Sequence, residues 1–318
     1  MGAADGYRVV TLQDIRRALA AIGYEYGGDV SESEVRFADG ARYRIEIPST
    51  EGPAVLRAVI EEAADRGVAV RRVSQGSGVM MLTDEEIGEM ARLGAEHSIE
   101  VNLFLGPRGA WSPGGQAMAT SAHGGSARGS ADLAACLAEA RRACELGIRS
   151  LLVADVGVLA VLGRARDAGE LSSDLLLKTS VLLPVANPAT ARVLQELGAG
   201  TINVATDLSI RQLSEIRGAV ATPLDVYVEV PDDQGGFVRF YEVPEMVRMA
   251  APMYVKLGVR NSPAIYPTGK HLEDVAVRLG RERVRRAELC LRLMEELDPE
   301  VIEKPTDTRP TDLAIPEV

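Results

Sequence analysis

The residues of this 318-residue chain that could do chemistry together sit at the ends of short apolar runs. "LDVYVEV" (224–230) alternates like a buried strand, yet it carries Glu229 just before Pro231-Asp232-Asp233. "MYVKLG" (253–258) carries Lys256 and is followed by Arg260 and Asn261. "LLLKTS" (175–180) holds Lys178, and "RSLLVAD" (149–155) ends in Asp155. "IEVNLFLG" (99–106) holds Asn102, "TINVAT" (201–206) holds Asn203, and "VAVRRVSQ" (68–75) offers Arg72, Ser74 and Gln75. An ionised side chain in an apolar strand is costly unless it is paired. A core built for stability alone would place Val or Ile at these positions. Any one of them could be a satisfied structural group, but several together point to a pocket.

Two kinds of chemistry follow from these residue types. A buried Glu can act as general acid or base once burial raises its pKa. A desolvated Lys can form a Schiff base, or it can clamp a carboxylate or phosphate. The expected catalytic residues are Glu229, Lys256 and Asp155. Gln75, Asn102, Lys178, Asn203 and Arg260 are expected to bind and orient the substrate. For Lys256, anion binding or pairing with Glu229 is preferred to a Schiff base.

These strands alternate with amphipathic helical stretches such as "TDEEIGEMARLGAEH", "SADLAACLAEARRACELG" and "NPATARVLQELGAG". Repeated β-α units imply a parallel sheet. Their number favours a (β/α)8-type, TIM-like barrel, complete or short of a unit, over a doubly wound sheet. No GxGxxG follows the first strand, which lowers the dinucleotide-binding alternative. In such barrels the site lies at the C-terminal strand ends, where the βα loops gather. The first 50 residues read as a separate α-β-β unit. Thr11 is its helix N-cap, and Asp39-Gly40 is a hairpin turn. Residues 51–300 would be the barrel, and 301–318 an irregular tail, draped on the surface or loose.

The loop at 107–130, "PRGAWSPGGQAMATSAHGGSARGS", is far longer than a usual βα connection. Its glycines suit a lid over the barrel mouth. Arg108 and His123 within it are further substrate-binding candidates. His123 has no second His at metal-ligand spacing, so no metal is expected.

Composition excludes several classes. The net charge of −11 argues against nucleic acid, whose phosphates require clustered Lys and Arg. No apolar run reaches membrane-span length and the N-terminus lacks a signal-peptide core, so a cytoplasmic protein without a membrane partner is expected. Cys136, Cys144 and Cys290 form no CxxC pair, which argues against zinc, iron–sulfur and disulfide frameworks. A homodimer is the default assembly.

Residues 153–216 resemble the middle of the U32 family, the collagenase-like peptidases. The resemblance rests on Asp155, Gly157, Thr179, Ser180, Asn187, Leu197, Gly198, Leu208 and Ser209. "YVKLGVRNSP" (254–263) resembles the family's Lys-bearing strand that ends in Gly-Arg, through Lys256, Gly258 and Arg260. The resemblance spans about residues 67–297 and implies a barrel-like α/β fold and a peptidase or amide hydrolase. The family's His-Gly step and cluster-binding cysteines are absent after "DVYVEV", so an iron–sulfur cluster is not expected. The expected function is a U32-like barrel enzyme using acid–base chemistry on a small polar, anionic substrate, which could be a peptide. The alternatives are a non-catalytic barrel that binds a metabolite or protein, and a Schiff-base lyase or aldolase.

Overall fold

The structure is a computed structural model that describes residues 11–24, 31–107, 111, 124–183, 185–302 and 310–318. Eight parallel strands form one sheet in the order β5-β4-β3-β2-β1-β8-β7-β6. They are β1 (Tyr43–Pro48), β2 (Val70–Gln75), β3 (Glu100–Phe104), β4 (Ser150–Val153), β5 (Leu176–Thr179), β6 (Ile202–Asn203), β7 (Leu224–Glu229) and β8 (Met253–Leu257). The sheet curls into a (β/α)8 barrel whose one seam lies between β5 and β6. There the pairing shrinks to a single bridge, Lys178 to Thr201. Two backbone bonds hold it, Thr179 N to Thr201 O at 3.0 Å and Gly200 N to Leu177 O at 2.7 Å. The Asn203 N–H adds a third bond, to the Thr179 hydroxyl.

The helices that follow the strands are α2 (Pro53–Arg66), α3 (Asp84–His97), α4 (Gly129–Glu145), α5 (Val156–Asp167), α6 (Pro188–Glu196), α7 (Ile210–Ala219), α8 (Val243–Ala250) and α9 (Glu273–Leu297); α1 (Leu12–Ala21) precedes the barrel. Their starts are written in the sequence. Thr11, Thr83 and Ser209 each form a capping box, and Asp155 and Asn187 cap α5 and α6. The two "ELG" ends place Gly147 and Gly198 at φ +91° and +96°, a region where only glycine is unstrained. The apolar core is the layer between strands and helices, built from residues such as Ile47, Val73, Leu103, Leu151, Leu177 and Val255. Cys136, Cys144 and Cys290 are free thiols on helices. Among the described residues no helix is long and apolar enough to cross a membrane.

Two expectations need correction. Asp39-Gly40 does turn the chain, with Gly40 at φ +85°, but residues 31–37 form no strand and there is no hairpin. The strand after the turn is instead the first strand of the barrel. It pairs with β2 on one side and β8 on the other, so "YRIEIP" is not the end of a separate unit. The turn signal at Asp39-Gly40 holds, but the strand after it pairs with β2 and β8 rather than with the segment before the turn.

Residues 310–318 form no helix or strand, but they are not loose. They cross the N-terminal end of the barrel. Leu313 and Ile315 pack with Phe37 and Tyr254. Asp312 meets Arg44 of β1 at 2.6 Å, and the Ala314 N–H reaches Glu100 of β3. Glu317 bonds Gly147 O through its backbone N–H and pairs with Arg149 through its carboxylate. The segment therefore stoppers the bottom of the barrel. Replacing Ile315 with Ala is expected to cost about 2–3 kcal/mol of unfolding free energy, read as a lower urea midpoint at constant slope.

Candidate functional site

Strand alternation sorts each strand into an apolar outer face and a polar inner face. Inward go Arg44 and Glu46 on β1, Arg72 and Ser74 on β2, Glu100 and Asn102 on β3, and Ser150 on β4. From the other half come Lys178, Thr201 with Asn203, Asp225 with Tyr227, and Tyr254 with Lys256. All are buried. The barrel is thus packed with charge inside and with hydrocarbon outside.

The charges at the centre balance. Arg72 reaches three carboxylates: Glu100 at 2.7 Å, Asp225 at 2.9 Å and Glu46 at 3.4 Å. Its guanidinium lies 3.4 Å from the centre of the Tyr254 ring, so one face is covered by an aromatic. Above it, towards the C-terminal strand ends, Glu46 stands between two lysines. Lys178 makes a close ion pair with Glu46 and lies 3.6 Å from Asp225. Lys256 lies 3.6 Å from Glu46 and 4.1 Å above the Tyr227 ring, and it donates to the Asn203 side-chain oxygen at 2.7 Å when that amide is oriented to satisfy its neighbours. Ser74 donates to Glu46 at 2.6 Å. Asn102 donates to Ser150, which donates to Glu100.

This arrangement moves the proton affinities apart. Burial alone would raise the Glu46 carboxyl, but Lys178, Lys256 and Arg72 outweigh it and hold Glu46 well below the usual carboxylate range. Burial lowers the Lys178 ammonium to about 8, against the pull of Asp225 and Glu46. Lys178 is thus a cation that can release its proton just above neutrality.

Of the residues expected from sequence, Asn102, Lys178, Asn203 and Lys256 come together in this interior. Glu229 does not. The β7–β8 register slips between Tyr227 and Glu229, so Glu229 falls opposite Leu257 of the apolar layer. A bulge of this kind turns a side chain to the other face. Glu229 points at α9. One oxygen accepts the Arg260 N–H at 3.1 Å, while the other has no hydrogen-bond partner and stands 3.8 Å from Arg286. Burial raises its carboxyl above the ordinary value. Asp155 is occupied by backbone, accepting the Val158 and Ala127 N–H groups as the cap of α5. Gln75 closes its own loop by bonding Gly78 in both directions. The Arg260 side chain is exposed, 3.7 Å from Asp232. Arg108 and His123 lie outside the described residues, as does most of the loop expected to be a lid.

The residues that sequence reading missed are Glu46, Glu100 and Asp225, the three carboxylates that neutralise the interior. A signal for them existed. "RYRIEI", "VRRVS" and "IEVN" share one rhythm of polar and β-branched residues, and that rhythm marks a strand with a wet inner face. A fourth buried carboxylate, Glu51 after β1, was also missed. It accepts the Gly76 and Ser77 N–H groups and locks the β1 and β2 loops together, while Tyr266 of the β8 loop packs on Gly76 and bonds Ser49. Among the described residues no three His, Cys, Asp or Glu side chains are grouped to hold a metal ion.

Residues 127–230, from the entrance of α4 through β7, match Peptidase family U32. The resemblance carried by residues 153–216 falls inside this stretch, and Lys256 lies beyond it. No curated protein matches the chain. Similar solved structures include a truncated 3-deoxy-D-arabino-heptulosonate 7-phosphate synthase from Thermotoga maritima, with 13% identity, 86% of this chain and 95% of that one covered, and a TM-score of 0.46. The U32 peptidase Mk0906 has 15% identity, 92% and 91% coverage, and a TM-score of 0.40. Thiamine phosphate pyrophosphorylase from Pyrococcus furiosus has 10% identity, 77% and 97% coverage, and a TM-score of 0.40.

Two substitutions separate the inner charges from Glu229. Arg72→Met strands three buried carboxylates and is expected to cost about 3–5 kcal/mol in urea unfolding. Glu229→Gln keeps the acceptor for the Arg260 N–H and removes a charge with an unpartnered oxygen. A carboxyl raised on folding contributes stability that is complete below its unfolded pKa and is lost as pH rises through the folded value. At pH 7.5 Glu229→Gln is therefore expected to match wild type within about 1 kcal/mol, or to exceed it. Its stability should also fall less than that of wild type between pH 5 and 7.5.

Proposed function

We propose that the protein is a barrel enzyme whose reactive centre is Lys178–Glu46–Lys256, and that it performs acid–base chemistry on a small, polar, anionic substrate entering at the C-terminal strand ends. The observation that carries this reading is the placement of Glu46 between two strand lysines, one of them titrating near neutrality. Lys256 makes one hydrogen bond with its three donors, to Asn203, and can turn the others to a substrate carboxylate or phosphate. Lys178 supplies the proton and becomes a neutral amine, and Glu46 stays ionised beside it and favours its reprotonation. Asn102 and Asn203 fix the orientation of the neighbouring groups. Arg260, exposed at the rim, meets the incoming anion. Peptide or amide hydrolysis, the activity that the name of the U32 peptidases carries, fits this scheme if water adds to the carbonyl carbon as the C–N bond breaks, with Lys178 giving its proton to the departing amine and regaining one from the attacking water.

A second reading rests on Lys178 alone. An amine brought down to about 8 by burial is already a competent nucleophile for a carbonyl, as a Schiff-base lyase requires. The two readings differ in the sign of their pH dependence. A proton donor loses activity above about pH 8, and a free-amine nucleophile gains it. A panel of dipeptides, small carboxylates and phosphate esters, assayed from pH 6 to 10, is expected to give a rate that falls about tenfold per pH unit above 8. That limb should vanish in Lys178→Arg, whose guanidinium does not titrate there. A rate that rises through pH 8, with a borohydride-trapped pyruvate adduct on Lys178, selects the lyase instead. A turnover and pH profile unchanged in Lys178→Arg removes Lys178 from the chemistry.

A further inference from the structure

A cavity of about 550 Å³ opens at the opposite, N-terminal end of the barrel, between the starts of β1 and β2 and the last turns of α9. That volume is in the range of small-molecule sites. Val68 and Leu291 are among its apolar lining, and Arg44, Arg66, Arg71 and Arg292 supply its cations. Its carboxylates are Asp39, Glu288 and Glu295.

The pairings decide what the cavity prefers. Asp39 is occupied by Arg44 at 3.1 Å, and Glu288 by Arg66 at 2.6 Å. Among the described residues Arg71 and Arg292 have no carboxylate within ion-pairing distance, and only Glu295 is left to oppose them. Arg44 is 3% exposed, and its Nε and Nη1 have no hydrogen-bond partner. Arg71 is displayed by a local irregularity. The β1–β2 register slips so that Ile45 pairs with Val70 and Glu46 with Arg72, and Arg71 is the extra residue. The bulge sends Arg72 inward to the charge network and leaves Arg71 facing the cavity.

The geometry points to a second binding site here, for a small organic anion with an apolar body. Its carboxylate or phosphate group is taken by Arg71 and Arg292, and its body lies against Val68 and Leu291. Arginine suits this task because its fork matches both groups. The site is remote from the lysine centre, and it shares Arg44 with the stopper segment through Asp312.

Calorimetric titration of the full chain with phenyl phosphate and benzoate tests the site, with benzyl alcohol as the neutral control. Saturable binding of one equivalent of at least one anion is expected, at least tenfold tighter than the alcohol. Arg71→Met and Arg292→Met should each weaken it at least tenfold. Both side chains are free of pairs and reach solvent, so both variants should show wild-type circular dichroism and thermal midpoints. Lack of saturable binding by either anion overturns the proposal. So does binding whose affinity is the same in both variants, which would place the anion elsewhere.

Discussion

The interior of this barrel is governed by one constraint: charge removed from water must be neutralised where it lies. Arg72, Lys178 and Lys256 face Glu46, Glu100 and Asp225 with no access to solvent, and every one of the six has an opposite partner within 4 Å. Eight strands contribute to this arrangement, so the register of each is constrained by polar partners as well as by apolar packing. A slip of one residue in any strand would turn an inner polar or charged side chain towards hydrocarbon. The two register irregularities, in β1–β2 and β7–β8, are where the pattern is adjusted. The first keeps Arg72 inside. The second turns Glu229 outside.

Glu46 and Glu229 show how far environment divides two chemically identical groups. Glu46 has cations on several sides and is held ionised. Glu229, one bulge away from the same interior, is buried against a helix with an unpartnered oxygen and is pushed towards its neutral form. In the first, charge pairing exceeds desolvation. In the second, desolvation exceeds the distant Arg286. The proposal for Glu46 and Lys178 follows from that difference, because only the inner pair combines a fixed anion with a cation that titrates near neutrality.

Much of this was legible in the sequence, because alternation and capping are local signals. The strands at Lys178, Asn203 and Lys256, the cap at Thr11 and the glycine helix ends follow from periods of two and of 3.6 and from φ preferences. What was illegible was non-local. The strand with Glu46 follows a sound turn signal, and nothing nearby says that its partners begin at Val70 and Met253. The outward turn of Glu229 depends on one extra residue in a ladder, which alternation within a single strand cannot reveal. The tail reads as polar and Pro-rich, yet Leu313 and Ile315 find a cleft formed by Phe37, near the other end of the chain, and Tyr254 of β8.

The seam between β5 and β6 gives the barrel an uneven strength. Every other neighbouring pair is held by a ladder, and this pair by one bridge and three hydrogen bonds. Lys178 is the bridging residue. The cation closest to losing its proton therefore belongs to the strand pair that parts most cheaply. Water and protons need not travel the length of the barrel axis to reach it. A brief separation of the two strands would hydrate Lys178 and Thr201 together, and through the Thr201 hydroxyl the edge of the Arg72–Asp225 pair, so the wall itself offers water a route to the inner charges.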